Sequence, residues 1–159
     1  MRQSICVFSY GLDLDLGLLH SVVGGPRPRC KGPAWLPGYV CRFGVSGHLP
    51  GLVSKPGYQT LGALTLLTAD QLRRMDAWLV AYSRQRLPVE PFHGRYLHAW
   101  AFLPSVPPQR PGVPSLDTLT ALCRGAAVRG LGDDRVNHLL SWRPADSQRI
   151  LISIDQALA

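Results

Sequence analysis

Acid–base chemistry on a small organic substrate needs a carboxylate in an apolar setting, where burial raises its pKa. The chain has a single glutamate, Glu90, so any carboxylate elsewhere is an aspartate. Asp13 and Asp15 follow Phe8-Ser9-Tyr10-Gly11-Leu12, and Asp76 lies in Met75-Asp76-Ala77-Trp78-Leu79-Val80-Ala81-Tyr82-Ser83-Arg84. Other constellations are poor. Ser4, Ser9 and Ser21 lack the G-x-S-x-G turn that exposes a nucleophile. No phosphate loop or dinucleotide fingerprint is present. The five histidines (His20, His48, His93, His98, His138) have no metal-ligand spacing. Cys6, Cys30, Cys41 and Cys123 are scattered without a C-x-x-C pair, and Cys30, Cys41 and His48 match no standard zinc knuckle. Neither a metal nor a cofactor is expected.

The elements that must position these residues follow from periodicity. Residues 3–10 are apolar on both faces and read as a central strand ended by Gly11. Asp13 or Asp15 is expected to cap a short helix to about His20, with Leu14, Leu18 and Leu19 on its apolar side. For Asp13 the alternative is an acid facing a ligand. Residues 24–33 are rich in Pro and Gly and read as a loop. Strands are expected over 34–43, 51–53 and 59–67, with turns at 44–47 and at Pro56-Gly57. Thr68-x-x-Gln71 is a capping box opening a helix. In it Leu72, Met75, Leu79 and Tyr82 follow helical spacing, making Leu79 part of an apolar stripe. Strands near 84–91 and 95–103, a proline-rich loop over 104–114, and helices near 115–129 and 132–142 complete the compact part. The pattern says α+β with a mixed or mainly antiparallel, strongly curved sheet. One domain over 1–145 with a C-terminal tail over 146–159 accounts for the chain.

Composition narrows the setting. The chain is 46% hydrophobic and only 17% charged, which is globular and not disordered. Its net charge of +7 comes from 15 Arg and 2 Lys spread along the whole length. The densest group, Arg27, Arg29 and Lys31, sits in the Pro/Gly loop, and no aromatic-basic RNA-reading motif occurs. No specific nucleic-acid partner is expected. No apolar run reaches the roughly 18 residues of a membrane span. Asp13 and Asp15 interrupt the apolar stretch near the N-terminus and no small-residue cleavage site follows, so no membrane contact and a cytoplasmic location are expected.

The two aromatic stretches together resemble the active-site segments of the gamma-glutamylcyclotransferase-like family. In that family a first strand ends in Tyr-Gly-Ser-Asn-Leu/Met, and a later helix ends in Leu-Asp-x-x-Glu-Gly before a Tyr and often an Arg. Further likeness lies in Pro37-Gly38-Tyr39-x-x-Arg42-Phe43, Gly51-Leu52-Val53-x-x-Pro56-Gly57, Leu61-Gly62-Ala63-Leu64 and Gly125-Ala126-x-x-x-Gly130-Leu131. The resemblance runs from about residue 5 to about 142. It implies a small mixed β-barrel or curved sheet with flanking helices and a pocket at the end of the first strand. It also implies the reaction: a carboxylate takes a proton from an alpha-amine, which attacks a gamma-glutamyl carbonyl and releases 5-oxoproline and an amine. The loop after the first strand would offer successive N–H groups to the substrate's alpha-carboxylate, an anion-binding nest.

The departures fall at the chemistry. Tyr10, Gly11 and Leu14 keep the pattern, as do Asp76, Tyr82 and Arg84. Leu12 stands for Ser, Asp13 for Asn, and Leu79 for the catalytic Glu. Leucine abstracts no proton. An inward Asp13 would repel a bound carboxylate by roughly 4 kcal/mol at 4 Å and an effective dielectric of about 20. The expected binding set is Tyr10, Gly11, Leu12, Asp13, Leu14, Leu79 and Tyr82, around a small carboxylate or amide ligand. The leading expectation is a divergent member without ordinary cyclotransferase activity. One alternative is a working gamma-glutamyl or related amide-processing enzyme using Asp13, Asp15 or Asp76 as its base. Another is a non-catalytic interaction protein with a basic surface. The oligomeric state is left open.

Overall fold

The computed structural model describes residues 3–43, 50–106 and 114–132. Its elements are β1 (Ile5–Ser9), a 3-10 turn (Leu12–Leu14), α1 (Leu16–Val23), β2 (Arg29–Phe43), β3 (Pro50–Leu67), α2 (Ala69–Trp78), β4 (Tyr82–Pro91), β5 (Leu97–Pro104) and α3 (Leu116–Val128). The strands close into a barrel in the order β1-β3-β2-β4-β5. All pairings are antiparallel except β1 with β5, which is parallel at Val7 and Trp100. The fold is therefore α+β, a mixed barrel with flanking helices, and β1 is paired on both sides as its apolar faces require.

Local chemistry fixes the helix starts. Thr68 caps α2 in a full capping box: its hydroxyl accepts from the Gln71 N–H while Gln71 Oε1 accepts from the Thr68 N–H. Ser115 caps α3 through the Thr118 N–H. Asp15 caps α1, accepting from the N–H groups of Gly17 and Leu18.

Several expectations need correction. The helix α1 runs past His20 to Val23, and its buried side is Leu19 and Val23, while Leu14 lies ahead of it in the 3-10 turn. The Pro/Gly segment is loop only to Pro28; Arg29–Pro33 already pair with β3, with Gly32 at φ +105 beside a bulge. The two expected strands over 51–53 and 59–67 are one long strand. Pro56-Gly57 does not end it: the run from Lys55 to Tyr58 bulges outward opposite the single residue Gly38. α2 stops at Trp78, so Tyr82 is a strand residue. The turn at 44–47, residues 107–113 of the proline-rich loop, the helix near 132–142 and the tail 146–159 lie outside the described residues.

Three apolar clusters fill the molecule. Phe8, Leu36, Leu52, Leu64, Val89, Ala99 and Ala101 fill the barrel. Leu19, Val23, Leu72, Met75 and Phe102 bind α1 and α2 to it. Leu14, Leu119, Leu122 and Ala126 seat α3. Two glycines make the closest approaches. A Cβ on Gly62 would stand 2.5 Å from both the Phe8 ring and the Ser9 carbonyl oxygen. A Cβ on Gly125 would stand 2.7 Å from the backbone of Leu14 and Asp15. These positions let β3 close on β1, and α3 on the segment between β1 and α1. No described helix is long and apolar enough to cross a membrane.

Candidate functional site

The segment after β1 turns at once. The Leu14 N–H donates to the Gly11 carbonyl at 3.0 Å, and the Asp15 N–H to that of Leu12 at 3.1 Å. This turn sends Asp13 and Asp15 to different places. Asp15 goes to the start of α1, where it also pairs with Arg124 of α3. Asp13 goes inward and is 8% exposed. Its Oδ1 accepts the Gly11 N–H at 3.2 Å. The cap reading of Asp13 is thus overturned, and Asp15 is the cap.

A cavity opens at this turn. It is lined by Phe8, Tyr10, Gly11, Leu12, Asp13, Pro50, Trp78, Leu79, Tyr82 and Phe102. The cavity is small, ≈ 20 Å³. The Tyr10 hydroxyl donates to the Phe102 carbonyl, and the Tyr82 hydroxyl to the Pro50 carbonyl at 2.6 Å. Leu79 caps the C-terminus of α2, its N–H bonded to the Met75 carbonyl at 2.8 Å, and its carbonyl accepts the Tyr82 N–H at 2.9 Å. That tight link from helix to strand puts both side chains on the cavity. The stripe of Leu72, Met75, Leu79 and Tyr82 is therefore continuous in space, although only its first half is helical.

Six of the seven expected binding residues share this cavity: Tyr10, Gly11, Leu12, Asp13, Leu79 and Tyr82. Leu14 does not; it is fully buried beneath α3. Of the three candidate bases only Asp13 lines it. Asp76 accepts from Arg84 Nε at 2.7 Å, and that guanidinium lies 4.8 Å from the centre of the Trp100 ring. Arg84 is held between an acid and an indole, and neither it nor Asp76 lines the cavity.

Burial dominates the electrostatics. It pushes the Asp13 carboxyl above the usual value, against the Ser9 hydroxyl, the Arg129 guanidinium and main-chain N–H groups. Burial pushes the Tyr10 phenol well up, helped by Cys41, Tyr82 and Asp13. Tyr82 is pushed up to about 12, by burial first and then by Cys41 and Asp13. Both phenols stay neutral at ordinary pH.

Sequence reasoning missed the polar chain behind Asp13. Arg129, at the end of α3, is 4% exposed. Its Nη2 donates to Thr65 Oγ1, and its Nε and Nη1 have no hydrogen-bond partner among the described residues. Thr65 Oγ1 lies 2.9 Å from Ser9 Oγ, and the Ser9 hydroxyl stabilises the Asp13 carboxylate. The Gly125-Ala126-x-x-x-Gly130-Leu131 pattern marks the α3 turn but says nothing of the arginine inside it. Phe8, Pro50, Trp78 and Phe102 were also missed as cavity walls; they reach it only through the barrel's closure. Among the described residues no group of three or more His, Cys, Asp or Glu is arranged to hold a metal ion. His48 lies outside them.

No curated protein sequence matches the chain. Among solved structures, a gamma-glutamyl cyclotransferase superposes with a TM-score of 0.80 at 20% identity, covering 97% of this chain and 99% of the other. A human protein, uncharacterized protein loc79017, gives 0.79 at 19% identity, with the same 97% and 99% coverage. YkqA from Bacillus subtilis gives 0.73 at 20% identity, over 88% of this chain and 54% of its own. At such identities these likenesses establish the fold. A family model, gamma-glutamyl cyclotransferase, AIG2-like, matches residues 7–118, which hold both aromatic stretches. The chain belongs to the gamma-glutamyl cyclotransferase, AIG2-like family.

Proposed function

We propose that this chain is a divergent family member without ordinary cyclotransferase activity, which keeps the cavity at Tyr10-Gly11 as a small-molecule pocket. The observation that carries the reading is Leu79 on the cavity wall, where the family pattern has its glutamate. A leucine there leaves the expected amine without its proton acceptor. Loss of a general base typically costs about 10²–10⁴-fold in rate. Asp13 adds a second obstacle. Its own carboxylate takes the Gly11 N–H, a donor that the turn would otherwise offer to a ligand's carboxylate. The cavity, at ≈ 20 Å³, is also small beside a whole gamma-glutamyl compound. A small amide or a ligand head group fits these limits better than a full substrate.

A second reading has one observation in its favour. Asp13 is a buried acid with a raised pKa inside a cavity, the usual environment of a general base. With Asp15 spent on a cap and Asp76 on Arg84, the working-enzyme alternative narrows to this residue. The test is 5-oxoproline release from gamma-glutamyl amines and dipeptides by wild type, Leu79→Glu, Asp13→Asn, and the triple variant Leu12→Ser, Asp13→Asn, Leu79→Glu. The main reading expects no release by wild type and activity, if anywhere, in the triple variant. Robust wild-type turnover lost in Asp13→Asn would overturn it in favour of the second.

A further inference from the structure

We propose that the cavity is a site for a small primary ammonium group, with Asp13 as the counter-charge and the surrounding aromatic rings as its walls. This deepens the pocket reading above by reversing the charge of the ligand expected there. The argument starts from the lining. Five aromatic side chains, Phe8, Tyr10, Trp78, Tyr82 and Phe102, surround one acid, and among the described residues no cationic side chain lines the space. A cation is attracted to ring faces, the more so when it is desolvated.

The polar atoms point the same way. The Tyr82 proton is committed to the Pro50 carbonyl and the Tyr10 proton to the Phe102 carbonyl. Toward a ligand those phenols are acceptors, and their raised pKa values keep them in that neutral form. A carboxylate has about four lone-pair sites. The Gly11 and Asp13 N–H groups and the Ser9 hydroxyl engage the Asp13 carboxylate, which leaves about one site for a donor from a ligand. An ammonium group, which has three donors and no acceptor, satisfies this set; a carboxylate does not.

The polar chain behind Asp13 says which charge state faces the cavity. Arginine can only donate, so the Arg129–Thr65 bond uses Thr65 Oγ1 as acceptor. The Thr65 proton is then free for Ser9 Oγ at 2.9 Å, and the Ser9 proton for the Asp13 carboxylate. All three protons point from Arg129 toward Asp13. This order fits a carboxylate at its end, and Arg129 stands behind it, off the cavity wall. The space is small, ≈ 20 Å³, as a site for a head group would be.

The probe is methylammonium chloride, followed through the backbone amide spectrum of the full chain by NMR. Sodium acetate, tetramethylammonium chloride and sodium chloride at equal ionic strength are the comparisons. The expected result is saturable millimolar binding of methylammonium, with shifts at Gly11, Leu12, Asp13, Leu79 and Tyr82. Acetate and tetramethylammonium should leave these amides in place. Asp13→Asn, which keeps shape and removes charge, should weaken methylammonium roughly tenfold or more. Tyr82→Phe, which keeps the ring and removes the oxygen, should weaken it less. Shifts by acetate at the same amides, equal binding of tetramethylammonium, or unchanged affinity in Asp13→Asn would overturn the proposal. So would no shift by methylammonium, and that failure would leave the 5-oxoproline result untouched.

Discussion

Replacing Arg129 by methionine tests the buried chain behind the cavity. Arg129 and Asp13 are 4% and 8% exposed, and two hydroxyls connect them. A buried charge that loses its compensating partner is strongly destabilising. Two opposing terms apply. Methionine removes two N–H-bearing atoms that have no partner among the described residues, each of which costs about 1–3 kcal/mol when buried unpaired. It also leaves the Asp13 carboxylate without its cation. With Asp13 present the second term should win, and Arg129→Met should destabilise. In an Asp13→Asn background only the first remains, and the same change should be neutral or stabilising. The coupling energy expected from this cycle is about 0.5–3 kcal/mol. Urea unfolding reads it directly, since about 1–3 kcal/mol corresponds to a midpoint shift on the order of 1 M. Equal effects of Arg129→Met in both backgrounds, within about 0.5 kcal/mol, would refute the linkage.

Other outcomes follow from the same contacts. Asp13 is raised above its ordinary carboxylate value by burial, against opposing terms from Ser9, Arg129 and the Gly11 N–H and in the presence of Tyr10 and Tyr82. The folded state therefore holds this proton more tightly than the unfolded chain does. Its stability contribution is full below the unfolded value of about 3.9 and is lost as pH rises through the raised folded value. Asp13→Asn should accordingly be more stable than wild type near neutral pH, with the gap closing in acid, measurable by thermal unfolding across pH. Gly125→Ala should destabilise by about 1–3 kcal/mol, because its Cβ would meet backbone at 2.7 Å; an unchanged urea midpoint would contradict the α3 packing. Asp15→Ala should cost about 1 kcal/mol through the lost α1 cap, read by the same denaturation, and unchanged stability would count against the cap.

The family and the α+β fold were legible because the two aromatic stretches and four lesser patterns occur in order along the chain. The capping box at Thr68 was legible because it is local. What failed was whatever depends on closure of the barrel. Pro56-Gly57 is turn chemistry, yet β2 supplies Gly38 opposite it and the strand runs through as a bulge. Asp13 and Asp15 look alike as caps two residues apart, and only the 3-10 turn separates an inward acid from a cap. Leu14 keeps the family pattern but belongs to the α3 core, because Gly125 brings that helix against it. Arg129 had no signal at all: a lone arginine at a helix end reads as surface, and its burial follows from how α3 docks.

The central claim is that Leu79 and Asp13 together have removed ordinary cyclotransferase chemistry from a retained scaffold. A single-turnover experiment tests it most directly, with wild-type protein in excess over a gamma-glutamyl dipeptide and 5-oxoproline followed by rapid quench. Excess protein exposes even a slow enzyme, one limited by product release. The account predicts 5-oxoproline formation at the rate seen in buffer alone. Formation approaching one equivalent per substrate, well above that rate, would contradict it.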